Sequence, residues 1–333
     1  PTRPMEVVEP GHLTLLPELD RPLPIAPQSS RTTGLRLALA DWIVDRRNPL
    51  APRVWINRLW QGHFGHGLVR SPDNFGFLGE LPTHPELLDR LAAALGRSDD
   101  GPQLGTDGTA KRLHRLMVTS AAYRRSSEHP AAQAAVAKDS ANRLLWRAER
   151  RRIDAEGVRD ALLAMSQELD LRSAGPGFRP TLASEALEGL SRRDAAWNAS
   201  PEVEQRRRAL YEYSSRSLVD PLLATFDFVD TTLPCARRDE SIVAPQALAL
   251  LNDPFVQRIA VNTVDGLLAE SRVDPNAAAE SLRETSLRID RLWERAFGRA
   301  PSETERAAAV EHIRRLRLLI PETLIGQAAN ESQ

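Results

Sequence analysis

The stretch Arg53–Leu95, RVWINRLWQGHFGHGLVRSPDNFGFLGELPTHPELLDRLAAAL, decides the fold class. Val54, Trp55, Leu59 and Trp60 recur at helical spacing and predict a helix from about Pro52 to Gly62, with Asn57 and Arg58 off its apolar side. Leu87, Leu88, Leu91 and Leu95 repeat the pattern and predict a second helix. Between them, Gly65, Gly67, Gly76 and Gly79 predict a loop whose backbone takes geometries other residues resist. Thr83-His84-Pro85-Glu86 has the form of a capping box, in which the threonine oxygen accepts from the Glu86 N–H and the glutamate reaches back. Pro85 suits a first helical turn.

Outward from this stretch the chain stays helical. Leu35, Leu37, Leu39, Trp42 and Ile43 predict an amphipathic helix that stops at Asn48-Pro49. Further helices are expected over Lys111–Tyr123, Ala141–Leu169, Pro245–Leu268, Ser286–Phe297 and Ser302–Leu318. The single strand expected is short, at Leu210, Tyr211, Tyr213 and Ser214-Ser215. The predicted fold is therefore all-α or nearly so. Residues 1–30, rich in proline, should form an extended lead-in, followed by one large helical domain over 31–333. Flexible insertions are expected near 97–110 and 172–205, where periodicity fails and glycine and proline gather. Trp42, Trp55 and Trp60 are expected in the core.

Bulk properties exclude several functions. A net charge of −1 over 333 residues gives no global field for nucleic acid or an anionic membrane. The run Arg147–Arg152 is interrupted by Glu149 and followed by Asp154, and reads as a solvated or ion-paired face. Cys235 is the one cysteine, so neither an internal disulfide nor a Cys-x-x-Cys-His haem attachment can form, and no cofactor is expected in this chain. A buried structural role is the expectation for that thiol, although the arginines at 237 and 238 would favour its thiolate. No run of about 18 apolar residues predicts a membrane span. The opening Pro-Thr-Arg-Pro reads as the start of a carboxyl-terminal portion of a longer protein.

The chemistry-bearing residues cluster in the glycine loop. His63-x-x-His66, Asp73 and His84 carry imidazole and carboxylate, the donors that suit zinc or iron. The histidine spacing lacks the i, i+4 helical geometry of metalloprotease motifs, and no metal is expected. Two readings remain: the histidines hydrogen-bond the loop backbone and hold it closed, or His63, Asp73 and His84 converge in a cleft that binds or processes a polar ligand. Asn57, Arg58, His114 and Arg115 are the candidate binding residues beside it. The arginines of His114-Arg115, Tyr123-Arg124 and Asn142-Arg143, which flank helical apolar faces, are expected to fix helix packing through carboxylates, with Glu156 and Asp160 as available partners.

An ordered string of motifs resembles a known family. Arg36-Leu37-Ala38 through Trp42-Ile43, Asn48-Pro49-Leu50-Ala51, Val54 to Phe64, Asp73-Asn74-Phe75-Gly76, His84-Pro85-Glu86-Leu87-Leu88, Leu113-His114-Arg115-Leu116, Tyr123-Arg124 and Asn142-Arg143-Leu144-Leu145-Trp146 are similar to the PSD-type domain. Arg151-Arg152, Glu156, Arg159-Asp160, Phe226-Asp227, Cys235, Arg237-Arg238 and Pro245 to Asn252 continue it. This planctomycete-specific domain of unknown function often lies downstream of a cytochrome-c-type haem domain. The resemblance implies an extracytoplasmic, periplasmic or secreted protein, with upstream haem or other domains, or secreted proteins, as partners. It implies no activity. Two departures stand out: His66 occupies a position where the family commonly has arginine, which weighs against a metal ligand there, and residues 97–110 replace a shorter link. The expected function is a non-catalytic interaction module; the alternative is a hydrolase acting on a polar or carbohydrate substrate at the 63–84 loop.

Overall fold

The computed structural model describes residues 11, 15–19, 23, 32–96, 109–187, 197–215, 218–271 and 282–319. Residues 97–108, most of the proline-rich lead and residues 188–196 of the second expected insertion lie outside them. Among the described residues 55% are helical, in twelve α-helices and three short 3₁₀ turns, and no strand is present. Two isolated parallel bridges, Asp170 to Arg207 and Phe178 to Glu212, are the extended pairings present there. The expected strand is instead a 3₁₀ turn, Ala209–Tyr211, followed by the single bridging residue Glu212. The chain divides into two compact units, Pro1–Arg151 and Arg152–Gln333. Periodicity alone, which reports local faces, does not reveal that division.

The first unit contains α1 (Leu35–Val44), α2 (Leu50–Phe64), α3 (Pro85–Gly96), α4 (Thr109–Thr119) and α5 (Ala132–Lys138). Helices α2, α3 and α4 pack on one another. Ile56 and Trp60 from α2, Leu88, Leu91 and Leu95 from α3, and Leu113 and Met117 from α4 form the core, closed by Leu68 and Val69 from the loop. Burying such side chains contributes roughly 1.5–3 kcal/mol each. Of the three tryptophans expected inside, Trp60 is buried, Trp42 is half-buried and Trp55 is exposed. Trp55 sits one position short of Ile56 and faces away, because Ile56, Trp60 and the buried Asn57 define the inner side of α2. Helix α1 buries no residue, and its Leu37, Leu39 and Ile43 are exposed. It is joined to α2 by Asn48, which is buried: its amide donates to the Trp42 carbonyl at 3.0 Å and its oxygen accepts from the Leu50 N–H at 3.0 Å. One side chain thereby satisfies orphan backbone groups at the end of one helix and the start of the next.

The capping box does not form. With Pro85 as the first residue of α3, Thr83 lies one position too early to cap it. Its hydroxyl and N–H both donate to the Leu68 carbonyl instead. The helix expected over 141–169 is likewise replaced up to Asp154 by a bonded loop. Asn142 and Leu145 adopt left-handed backbone, with φ of 51° and 55°, which ends helical propagation. The Asp139 carboxylate accepts from the N–H groups of Arg143 and Leu144, and the Trp146 indole donates to the Asp139 carbonyl.

The second unit begins its helices only at Asp154, whose carboxylate caps α6 (Ala155–Met165) through the Gly157 N–H. Then come α7 (Glu202–Gln205), α8 (Pro221–Thr225), α9 (Ala244–Asn252), α10 (Pro254–Ser271), α11 (Leu282–Phe297) and α12 (Glu303–Leu319). The helix expected over 245–268 is broken at Asp253, where extended backbone precedes Pro254. Ala155, Leu222, Leu223, Phe226 and Val256 form an apolar cluster.

Beside that cluster lies a frame of buried arginines. Arg159 on α6 donates to the carbonyls of Arg207 and Gln205, approaches Glu212 at 3.2 Å, and stacks over Phe178 and Phe255. Arg207 donates to the carbonyls of Pro176 and Ala174 and stacks on Tyr211 at 4.0 Å. The aperiodic stretch after residue 172 is therefore pinned by bonds from residues more than 30 positions away. The carboxylates expected to meet the first unit's arginines are taken within this unit: Glu156 by Arg238 at 2.5 Å and Asp160 by Arg208 at 3.4 Å.

Candidate functional site

Two features of the first unit involve the Arg53–Leu95 stretch. One is a polar cleft at the end of α2, the other an apolar loop tip.

The cleft starts from the last turn of α2. Gly65 terminates the helix with φ of 83°, a left-handed position that glycine takes without strain. It also lies under the aliphatic stem of Arg151, where an added Cβ would fall 3.0 Å from Cδ. The Arg151 guanidinium donates to the Gly62 carbonyl at 2.7 Å. Phe64 stacks on the core Trp60 with ring centroids 4.0 Å apart, which fixes the helix end. This leaves His63 facing α4. Its Nε2 lies 2.7 Å from Nδ1 of His114, so one proton is shared between the two rings. The Tyr123 ring meets the His63 ring edge-on at 5.9 Å. The opposite wall is the 142–149 loop. Buried Asn142 donates to the Arg147 carbonyl and to the Glu149 carboxylate, both at 3.0 Å. The result is a cleft of about 250 Å³ lined by His63, Phe64, Tyr123, Asn142, Arg147, Glu149 and Arg151, among others. Burial holds the His63 imidazole below its ordinary range, and the neighbouring His114 and Arg151 push it further down.

The residues singled out from sequence are only partly brought together. His63 and His114 form the imidazole pair. Asp73 is exposed and makes no hydrogen bond or ion pair with a described residue. His84 bonds the Thr83 hydroxyl at 3.0 Å at the start of α3, and His66 lines an adjoining small recess with Gly67 and Thr83, which shares Phe64, Asn142, Leu145 and Glu149 with the cleft. His63, Asp73 and His84 share no contact among the described residues, so the expected convergence is corrected to a His63–His114 pairing. Three His, Cys, Asp or Glu side chains placed to hold a metal are not found among the described residues.

Asn57, expected to bind ligand, is fully buried. Its amide donates to the Val69 carbonyl at 2.9 Å and accepts from the Val69 N–H at 2.8 Å. Gly67 presses against it so closely that a Cβ would fall 2.5 Å from the amide nitrogen. Asn57 is thus a loop anchor, a role its helical position did not disclose. Arg58 and Arg115 are exposed, with no side-chain partner among the described residues. Sequence reasoning placed Tyr123, Arg147, Glu149 and Arg151 in motifs but not in the site. For the last three the signal was the arginine run itself, whose members go to different partners: Arg150 to Glu128, Arg151 to Gly62 and Arg152 to Gln246. Cys235 is exposed rather than buried, 3.2 Å from the Arg237 carbonyl, because it lies in the irregular segment before α9 and outside the apolar cluster.

The loop tip is the second feature. Phe77, Leu78 and Leu81 are exposed by 102%, 87% and 83%, values of side chains that touch almost nothing. The backbone beneath them is nevertheless tied. The Ser71 hydroxyl donates to the Asn74 carbonyl and accepts from the Glu80 N–H, the Asn74 side chain accepts from the Gly76 N–H, and the Gly79 N–H bonds the Gly76 carbonyl. Any residue but glycine at 79 would drive a Cβ into the Asn74 carbonyl, 2.1 Å away.

A family model for PSD1, described as a protein of unknown function (DUF1553), matches residues 35–313. The chain belongs to this family. No curated protein and no solved structure matches it. The PSD1 domain carries no helix long and apolar enough to cross a membrane among its described residues. Both the cleft and the loop tip fall inside the matched region.

Proposed function

We propose that this PSD1 domain is a non-catalytic docking module that engages a folded protein domain through the Phe77–Leu81 tip. The observation that carries the reading is the combination of three solvent-exposed apolar side chains with a backbone held by its own hydrogen bonds. Large exposed apolar groups held in one place mark interaction sites. A preorganised loop loses little conformational freedom on binding, so more of the contact energy appears as affinity. Glu80 and Arg143, paired at 3.3 Å and half-exposed, supply the polar rim that such interfaces carry. The partner is a domain upstream in the same full-length protein, such as a haem domain, or a secreted protein, and the setting is an extracytoplasmic protein of the planctomycete type; the sequence resemblance supports both. The hydrolase reading at the 63–84 loop has less support, since His63, Asp73 and His84 lie apart.

The test uses the PSD1 domain and the upstream domain of its full-length protein, produced separately and mixed in a calorimeter. Phe77→Ser/Leu78→Ser/Leu81→Ser should weaken their association by tenfold or more, about 1.4 kcal/mol, with an unchanged circular dichroism spectrum. Equal affinity of the wild type and the variant would remove the tip from the interface.

A further inference from the structure

We infer that the cleft beside His63 is a binding site for a small oxyanion, held by Arg151, Arg147 and His63, whose ring is bonded to His114. The inference goes beyond the docking reading and does not rest on it. Among the described residues the Arg151 guanidinium has no carboxylate within ion-pair distance, and its one hydrogen bond goes to the neutral Gly62 carbonyl. An arginine presents five N–H donors in a fork that matches oxyanions, so most of that capacity is unspent. Arg147 is closer to balance: its nearest carboxylate oxygen, on Glu149, is 3.7 Å away, and Glu149 also accepts from Asn142. The walls therefore carry two guanidinium charges against one carboxylate.

The imidazole pair adds adjustable charge. In the neutral pair one N–H bridges the 2.7 Å gap between the rings. One added proton keeps that bridge and leaves an N–H on both outer nitrogens, so the outer nitrogen of His63, the ring that lines the cleft, is then a donor whichever ring bridged before. The groups facing His63 are His114 from α4, Tyr123 just after it and Arg151 from the segment before α6; Arg147 and Glu149 complete the charged lining. The positive neighbours resist protonation of His63. A bound oxyanion cancels that field, so binding takes up a proton and strengthens as pH falls through the imidazole range. The cleft volume of about 250 Å³ lies below the range of roughly 300–1,000 Å³ typical of drug-sized ligands. It suits an anion of a few heavy atoms, a sulfate-like or carboxylate group.

The test is an NMR titration of the histidine ring signals in the full chain with sodium sulfate, whose charge is constant over about pH 5–8 where histidine titrates. Sodium acetate serves as the carboxylate arm, and sodium chloride at matched ionic strength as the control. The expected result is a saturable shift of the His63 and His114 signals, a His63 titration midpoint that rises with bound anion, and affinity that grows from pH 8 to pH 6. Arg151→Gln should weaken binding by roughly ten- to a hundredfold, the loss of one charge-assisted hydrogen bond. Arg90→Gln, at an exposed position of α3 outside the cleft lining, should leave it unchanged. If Arg151→Gln does not fold, Arg147→Gln takes its place with the same expected direction. Saturation by sulfate alone assigns the site to tetrahedral oxyanions, and saturation by acetate alone assigns it to carboxylates. Shifts that chloride reproduces, or that persist in both cleft variants, overturn the inference.

Discussion

The two units are organised by different means. The first is built around an apolar core in which Ile56, Trp60, Leu88, Leu91, Leu95, Leu113 and Met117 interlock. The second has a smaller apolar cluster and, beside it, Arg159 and Arg207, buried to 3% and 1% exposure and bonded to distant carbonyls. An apolar core tolerates changes of shape and suffers from cavities. A buried cation tolerates apolar replacement poorly when its partners stay behind, because they are left unpaired. Arg159→Met keeps much of the side-chain volume but strands Glu212 and two carbonyls, and should cost about 3–5 kcal/mol. Trp60→Ala should cost a similar 3–5 kcal/mol through the cavity it leaves. Chemical denaturation followed by circular dichroism measures both. The comparison breaks if Arg159→Met unfolds at the wild-type denaturant concentration, for the arginine frame would then be dispensable.

The next effect is local to the first unit. Asn57→Ala removes both partners of Val69 from a buried position. Each stranded backbone group costs about 1–3 kcal/mol, offset in part by water entering the space. The loss should concentrate in the 65–70 loop, so hydrogen exchange at the Val69 amide should rise more than at the α3 core amides. Uniform acceleration across α2 and α3 would show that Asn57 supports the whole core instead.

How far this contrast could be read in advance depends on the range of the interactions. The helices α2 and α3 were legible because their determinants, Trp60, Leu88 and Leu91 among them, recur within a few residues of one another. The arginine frame was not, since Arg159 bonds Arg207 across 48 positions and Arg207 bonds Ala174 across 33. Asn142 and Leu145 carried no warning of left-handed backbone, so a helix was expected where a loop stands. The site was half legible. His63 and His114 were both candidates, but their pairing crosses 51 positions, and Asp73 and His84 were joined to His63 only by closeness in sequence.

The arginine frame also makes stability depend on pH in a way the apolar core does not. Burial pushes Glu212 up to about 8, the charge of Asp220 adds to this, and Arg159 opposes it. Asp220 is raised too, chiefly by burial. One proton shared by the two carboxyls leaves the trio with Arg159 neutral. Because the folded value exceeds the ordinary 4.5, the native state holds more protons than the unfolded chain between pH 4.5 and about 8. Stability contributed by this group is therefore complete below 4.5 and falls as pH rises through that window. Glu212→Gln mimics the protonated acid, so it should change stability little at pH 7 and flatten the decline towards pH 8.5. A decline of the same slope in the variant would place its origin elsewhere.

The smallest expected effect on stability is at the loop tip, and its smallness is the point. Phe77, Leu78 and Leu81 bury almost nothing, and surface substitutions away from special backbone features change stability by about 0.5 kcal/mol or less. The bonds that shape the tip come from Ser71, Asn74 and the backbone, none of which the change to serine touches. The serine triple variant should therefore unfold at the wild-type midpoint while losing affinity for its partner. Gly79→Ala should do the opposite, forcing the Asn74 carbonyl aside and deforming the tip while all three apolar side chains remain. If Gly79→Ala binds as well as the wild type, exposed apolar area alone accounts for docking. If it loses affinity as the serine variant does, the tip works by its shape, and the glycine matters as much as the phenylalanine it supports.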